Sequence, residues 1–234
     1  MTFDKSAFFK SVRAGILGPT LDADEVAGCE GILDAAAGLP IGWVAYILGT
    51  AYHETQGRMC GKQESLDYSA KRLQAVFGAH RITAAQAKAY GRIDGVRPAN
   101  QEAIANTIYG GAWGEKNLGN TQPNDGWYFR GRGGEHVTGR ASYKKVDDEL
   151  KLGGALMLNP DMLDDPKLAG RVIVSGMTQG RYRRHKLADF LPKGIATIDQ
   201  FIPARSIINP DGNGKLVARH SWNFQNGLRA GGWS

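Results

Sequence analysis

The chain has 234 residues, room for one large domain or two lobes, and its 29 Lys and Arg against 23 Asp and Glu give a formal charge of +6. That balance, with a pI near 9.3, points to an anionic partner. A charged fraction of 22% and a longest apolar stretch covering only residues 39–51 exclude a bilayer-spanning helix.

The start, Met1-Thr2-Phe3-Asp4-Lys5-Ser6, has no basic flank leading into an apolar run. No signal peptide is expected, and the chain is expected to fold in a cytoplasm. Residues 4–13 read as a short amphipathic helix with Phe8, Phe9 and Val12 inward. Asp22-Ala23-Asp24-Glu25 has capping-box spacing and opens a helix ending at Gly38. Next, Trp43, Tyr46, Ile47, Thr50 and Ala51 recur three and four apart, the spacing of one helix face, and Glu54 falls on the same stripe. A carboxylate on a buried face loses water, which favours the protonated form a general acid needs. Past the helix-breaking Gly57 and Gly61, Glu64 sits in a polar, loop-like segment where a carboxylate is expected to stay ionised. Two carboxyl groups in contrasting environments form the acid and base pair of a glycosidase.

Further along, a helix is expected at 69–77. A second capping box, Thr83-Ala84-Ala85-Gln86, opens another to Tyr90, and Pro98 suits the first turn of one running to Tyr109. The Gly- and Asn-rich stretch 110–126 reads as a long loop of the kind that lines a site. Residues 127–132 and 135–138, divided by glycines, are the best strand candidates. Helical patterns return at 141–150, 166–184, 196–207 and 215–228. The sum is a mainly α chain with one small β-hairpin or sheet. No linker divides it, so residues 1–234 are expected to form a single domain in two lobes.

Several constellations reduce to ordinary readings. His53-Glu54 lacks the second histidine of a zinc protease, because Gly57 holds that place. Gly131-x-Gly133 has His136 at the third glycine position and no βαβ unit around it. Asn209-Pro210-Asp211-Gly212-Asn213-Gly214 mimics a calcium loop, but its twelfth position is His220. Cys29 and Cys60 fit no metal spacing and read as free thiols. No metal and no cofactor are expected. Trp113, Trp127, Tyr128 and Phe129 divide between core and a sugar-stacking wall. The cluster Arg181-Tyr182-Arg183-Arg184-His185-Lys186 is either a solvated helix end or a patch that docks on an anionic wall.

Taken in order, Ala51-Tyr52-His53-Glu54-Thr55, Glu64-Ser65-Leu66-Asp67-Tyr68-Ser69, Ala105-Asn106-Thr107-Ile108-Tyr109-Gly110, Asp125-Gly126-Trp127-Tyr128-Phe129-Arg130-Gly131-Arg132-Gly133, Val137-Thr138-Gly139-Arg140, Leu158-Asn159-Pro160-Asp161 with Asp165-Pro166, and Ile207-Ile208-Asn209 with Gly212-Asn213-Gly214 and Arg219 resemble glycoside hydrolase family 19. This is the group of chitinases and phage or bacterial endolysins. The resemblance implies a lysozyme-like fold, two helical lobes flanking a cleft, and inverting hydrolysis of a β-1,4 bond beside an N-acetylated sugar. It implies Glu54 as general acid, Glu64 as general base and Thr138 as holder of the attacking water. Asn209 and Arg219 match positions lining the cleft near the acid, where an arginine would favour the ionised form of a nearby carboxylate. Trp127, Tyr128, Arg132 and His136 complete the expected substrate-binding set.

Departures fall on the substrate side. His136-Val137 stand where the family usually has glutamine and leucine, Glu135 where it has an apolar residue, and Ser142 where asparagine is common. Glu135 is therefore a rival base. Without a signal sequence or wall-binding module, an endolysin held in the host cytoplasm until the inner membrane opens fits better than a secreted chitinase. Its target would be peptidoglycan, cut between N-acetylmuramic acid and N-acetylglucosamine. Chitin is the substrate variant, and a non-catalytic wall-binding protein on a decayed hydrolase scaffold is the alternative of a different class. No nucleic-acid-binding signature appears, and nothing requires more than a monomer.

Overall fold

Capping chemistry and glycine placement set most of the element boundaries. The structure, a computed structural model, describes residues 3–59, 61, 63–134 and 136–234. Among them the chain is mainly helical and falls into two compact units, Met1–Lys62 with Leu163–Ser234, and Gln63–Met162.

The first unit opens with α1 (Lys5–Val12), started by the Asp4 carboxylate accepting the Ala7 N–H at 3.0 Å. It runs on into a π-helical turn, Arg13–Leu17, which Gly18 ends at φ +86°. Helix α2 (Ala23–Ala35) begins with the expected box. Asp22 accepts the Glu25 N–H at 2.7 Å and Glu25 accepts the Asp22 N–H at 2.9 Å. Helix α3 (Ile41–Glu54) is buried almost all round from Ile41 to Ala51, the pattern of a central helix rather than a surface one.

The second unit holds α4 (Ala70–Phe77), α5 (Ala84–Tyr90), α6 (Gln101–Ile108), α7 (Gly111–Leu118), α8 (Asp125–Tyr128), α9 (Arg140–Leu150) and α10 (Ala155–Leu158). Its core gathers Leu66, Leu73, Ile82, Ile104 and Ile108. The expected loop at 110–126 is thus partly a helix. At Gly114 a Cβ would overlap the Tyr109 carbonyl, so a glycine lets α7 turn tightly off α6. The expected strand at 127–132 is corrected as well. Asp125 accepts the Thr121 and Gln122 N–H groups at 2.9 and 3.0 Å and pairs with Arg140 at 2.5 Å, which winds 125–128 into a helical turn. Nor do 136–138, the described part of the second expected strand, form a strand with it. Among the described residues the sheet reduces to isolated bridges, of which the antiparallel Arg132–Val137 bridge falls where the hairpin was expected. His136, at φ +52°, breaks the extended backbone there.

The chain then returns to the first unit with α11 (Pro166–Gln179), α12 (Ile198–Phe201) and α13 (Gly214–Ala230). Helix α11 stops before the expected 184, because Gly180 adopts the left-handed cap at φ +77°. The expected helix over 196–207 divides at Pro203 into α12 and a 3₁₀ turn, Pro203–Ile207. Helix α13 lies against α3, where Tyr46 also stacks on Phe201 of α12 at 5.8 Å. Cys29 is a buried free thiol, while Cys60 lies outside the described residues. Among the described residues no helix is long and apolar enough to cross a membrane.

The α3–α13 contact depends on a missing side chain. A Cβ on Gly49 would lie 2.6 Å from the Ser221 nitrogen and 2.8 Å from its Cα, backbone atoms that cannot swing aside. Gly49→Ala is expected to destabilise the protein by about 1–3 kcal/mol or more, read as a lower urea midpoint. An unchanged midpoint would show that the two helices part without cost.

Candidate functional site

In the first unit, the stripe read on α3 delivers Glu54 at the helix end, one and two turns beyond the buried Thr50 and Tyr46. Burial pushes the Tyr46 phenol well above its usual range. Glu54 Oε1 accepts a hydrogen bond from Arg205 Nη1 at 2.6 Å. Arg205, only 4% exposed, stands on the 3₁₀ turn and donates Nε and Nη2 to Asp211 at 3.0 and 2.6 Å. One guanidinium thus joins two carboxylates.

Burial works against the charge on Arg205, but its bonds to Asp211 and Glu54 outweigh that and raise its pKa. The same hydrogen bonds hold the Asp211 carboxyl well below the usual carboxylate range. The calcium-like turn is where Asp211 sits. Its carboxylate accepts the Asn213 N–H at 3.0 Å and the Asn209 amide at 3.4 Å.

The cation beside Glu54 is therefore Arg205, which sequence reasoning missed. Arg219, expected there, is exposed on α13. One signal was available: an arginine four residues after Phe201, within the apolar run Phe201, Ile202, Ala204, Ile207. His53 approaches His220 with ring centroids 6.2 Å apart, and burial, then the charge of His53, lowers the His220 pKa. Among the described residues no group of three or more His, Cys, Asp or Glu is arranged to hold a metal ion.

In the second unit, Glu64 is fixed by neutral donors. Tyr109 Oη donates to its Oε1 at 2.6 Å and the Gly131 N–H donates to its Oε2 at 3.2 Å. The Glu64 N–H in turn donates to the Gly131 carbonyl at 2.8 Å. Gly131 sits close to its neighbours, since a Cβ would lie 3.0 Å from His136 Nδ1 and 3.2 Å from the Glu64 Cβ. Burial, reinforced by the charge of Glu64, raises the Tyr109 pKa far beyond its usual value.

Around this core, Arg130 covers the Trp127 ring at 3.7 Å and hydrogen-bonds to Gln63. The Asn106 side chain accepts the Trp127 N–H at 2.8 Å. Tyr128 is exposed, with its hydroxyl on the Leu158 carbonyl at 2.5 Å. Thr138 donates to the His136 carbonyl at 2.9 Å, and His136 itself is exposed. Arg132 serves the interior: 3% exposed, it binds Asp161 at 2.7 Å, Tyr143 Oη at 3.0 Å and the Tyr128 carbonyl at 2.8 Å. Of the other expected aromatics, Trp113 is exposed and carries Arg81 over its ring at 3.2 Å, and Phe129 is core. Glu135, the rival base, lies outside the described residues.

No protein-family model matches the chain, and no curated protein matches it either.

The electrostatics of the first unit have a pH signature. Because the folded Asp211 titrates below its unfolded value, its stabilisation is complete above about pH 4 and is lost as the pH falls through the depressed folded value. Asp211→Asn is expected to flatten part of the acid limb of a stability-against-pH curve measured by urea unfolding. An acid limb identical to wild type would show that the Arg205 pair carries no such linkage.

Proposed function

We propose that the protein is an inverting glycoside hydrolase of the family 19 kind, with Glu54 as general acid and Glu64 as general base. The reading takes the two units as the lobes of a lysozyme-like fold. The observation that carries it is the contrast in how the two glutamates are held. Glu54 is oriented by a cation through Oε1, and its Oε2 has no partner among the described residues, which leaves that oxygen available to a substrate. Glu64 is oriented by a hydroxyl and a backbone N–H, donors that align a carboxylate without neutralising it. Fixed carboxyls with different partners suit the two halves of an inverting displacement.

In this mechanism Glu54 protonates the leaving glycosidic oxygen while Glu64 takes a proton from water attacking the anomeric carbon from the opposite face. Thr138 helps to hold that water. Such chemistry asks for roughly 6.5–9.5 Å between the carboxyls. The substrate we assign is peptidoglycan, at the bond between N-acetylmuramic acid and N-acetylglucosamine. A formal charge of +6 favours encounter with an anionic wall, an advantage that salt weakens. The biological role that follows is lysis: storage in the host cytoplasm and action on the wall once the membrane opens, as a monomer.

Purified Gram-negative sacculi incubated with wild type should release reducing ends, with the first product formed in the inverted anomeric configuration. Glu54→Gln and Glu64→Gln should each lower the rate by at least about 10²-fold while helical content and sacculus binding persist. Release from chitin oligosaccharides alone would move the substrate to chitin. Undiminished turnover in Glu54→Gln would sink the mechanism.

A further inference from the structure

The densest basic stretch of the sequence is divided by the fold. Arg181 turns back onto α11, donating to the Val172 carbonyl and, at 3.2 Å, to Ser175 Oγ and Tyr182 Oη. Gly176 makes room for both side chains, since a Cβ there would meet the Tyr182 ring carbon at 2.6 Å. That anchor leaves the consecutive residues Arg183, Arg184, His185 and Lys186 exposed, with Arg184 at φ +65°. None of the four side chains has an acidic partner among the described residues. The one nearby carboxylate in the turn, Asp189, is spent on the Lys186 backbone N–H at 2.8 Å.

The chain then crosses the start of α3, where the Leu191 carbonyl accepts the Trp43 indole N–H at 3.2 Å and the Gly194 carbonyl accepts the Gly42 N–H at 3.1 Å. There it exposes Lys193 and two large apolar side chains, Ile195 (57%) and Ile198 (38%). Over 183–198 the fixed charges are four positive against Asp189 alone. This surface lies at the opposite end of α3 from Glu54, about 20 Å away along the helix at 1.5 Å per residue.

We propose that residues 183–198 form a docking surface for an anionic lipid bilayer. Guanidinium and ammonium groups would meet headgroup phosphates, and Ile195 and Ile198 would enter the interfacial apolar layer. Charge alone would suit any polyanion. The exposed isoleucines single out a partner with an apolar layer beneath its phosphates. Docking here leaves the Glu54 end of α3 free, and the inference stands apart from the hydrolase reading.

The test is co-sedimentation of the full chain with vesicles of phosphatidylcholine and phosphatidylglycerol at three to one, beside pure phosphatidylcholine vesicles and polyphosphate beads. Wild type should bind the anionic vesicles, and less so as salt rises. Arg183→Ala/Arg184→Ala/Lys186→Ala should weaken that binding about 100-fold, at about fivefold per removed charge. Ile195→Ser should weaken vesicle binding several-fold and leave bead binding unchanged. Thermal melts of these exposed variants check folding. Absence of binding to anionic vesicles, or indifference to the triple substitution, overturns the proposal. Equal retention of Ile195→Ser and wild type on vesicles also overturns it, and assigns the surface to a soluble or wall polyanion.

Discussion

A guanidinium that is 4% exposed organises the first unit. Removing such a charge from water costs several kcal/mol unless partners replace the lost hydration. Arg205 has two. The partners come from different places: Glu54 from the end of α3 and Asp211 from the turn preceding α13. Its own position comes from the 3₁₀ turn that Pro203 starts. Three segments are therefore held by one charge, and a change in any of them leaves a buried ion short of a partner. The orientation of Glu54 follows from this requirement of the interior.

The second unit solves the corresponding problem without an ion. Glu64 is gripped by a phenol whose own ionisation is suppressed by burial and by the glutamate it binds. Gly131 contributes twice, giving its N–H to the side chain and its carbonyl to the Glu64 backbone. Because Tyr109 stays protonated, the donor is permanent. Because Gly131 has no Cβ, the loop passes within van der Waals reach of both Glu64 and His136. The closest approaches that a glycine permits in this chain are to backbone, as at Gly49 and Gly114.

Legibility in the sequence followed the range of the interaction. The capping boxes at Asp22 and Thr83 form as read, since each is a contact over three residues. The α3 stripe was legible because its period repeats over a dozen residues. Arg205 was not, since its contact with Glu54 spans 151 positions and leaves no local pattern. Arg219, expected near the acid through resemblance, is an exposed residue of α13, and the buried ion pair with Glu54 is made by Arg205 on a different element. The strand expected at 127–132 failed for the same reason. Its aromatics favour extended backbone, but Asp125, held by Arg140 and two N–H groups, closes a helical turn first. Arg132, expected in the substrate-binding set, is bonded to four groups inside its own unit.

The same reasoning bears on how charge is used across the chain. A net +6 invites the view that the basic residues act together on one partner. Their environments divide them instead. Arg132, Arg140 and Arg205 each neutralise a named carboxylate and are part of the architecture. Arg81 and Arg130 lie over indole rings, where the cation is drawn to the π face. Arg181 is folded onto α11. Among the basic residues that remain, those exposed around 183–193 form a local concentration of charge, set in the fold by a glycine cap and an arginine turned inward. Long-range attraction to an anionic surface scales with such uncompensated groups, and residues 183–193 gather four fixed positive charges against Asp189 alone.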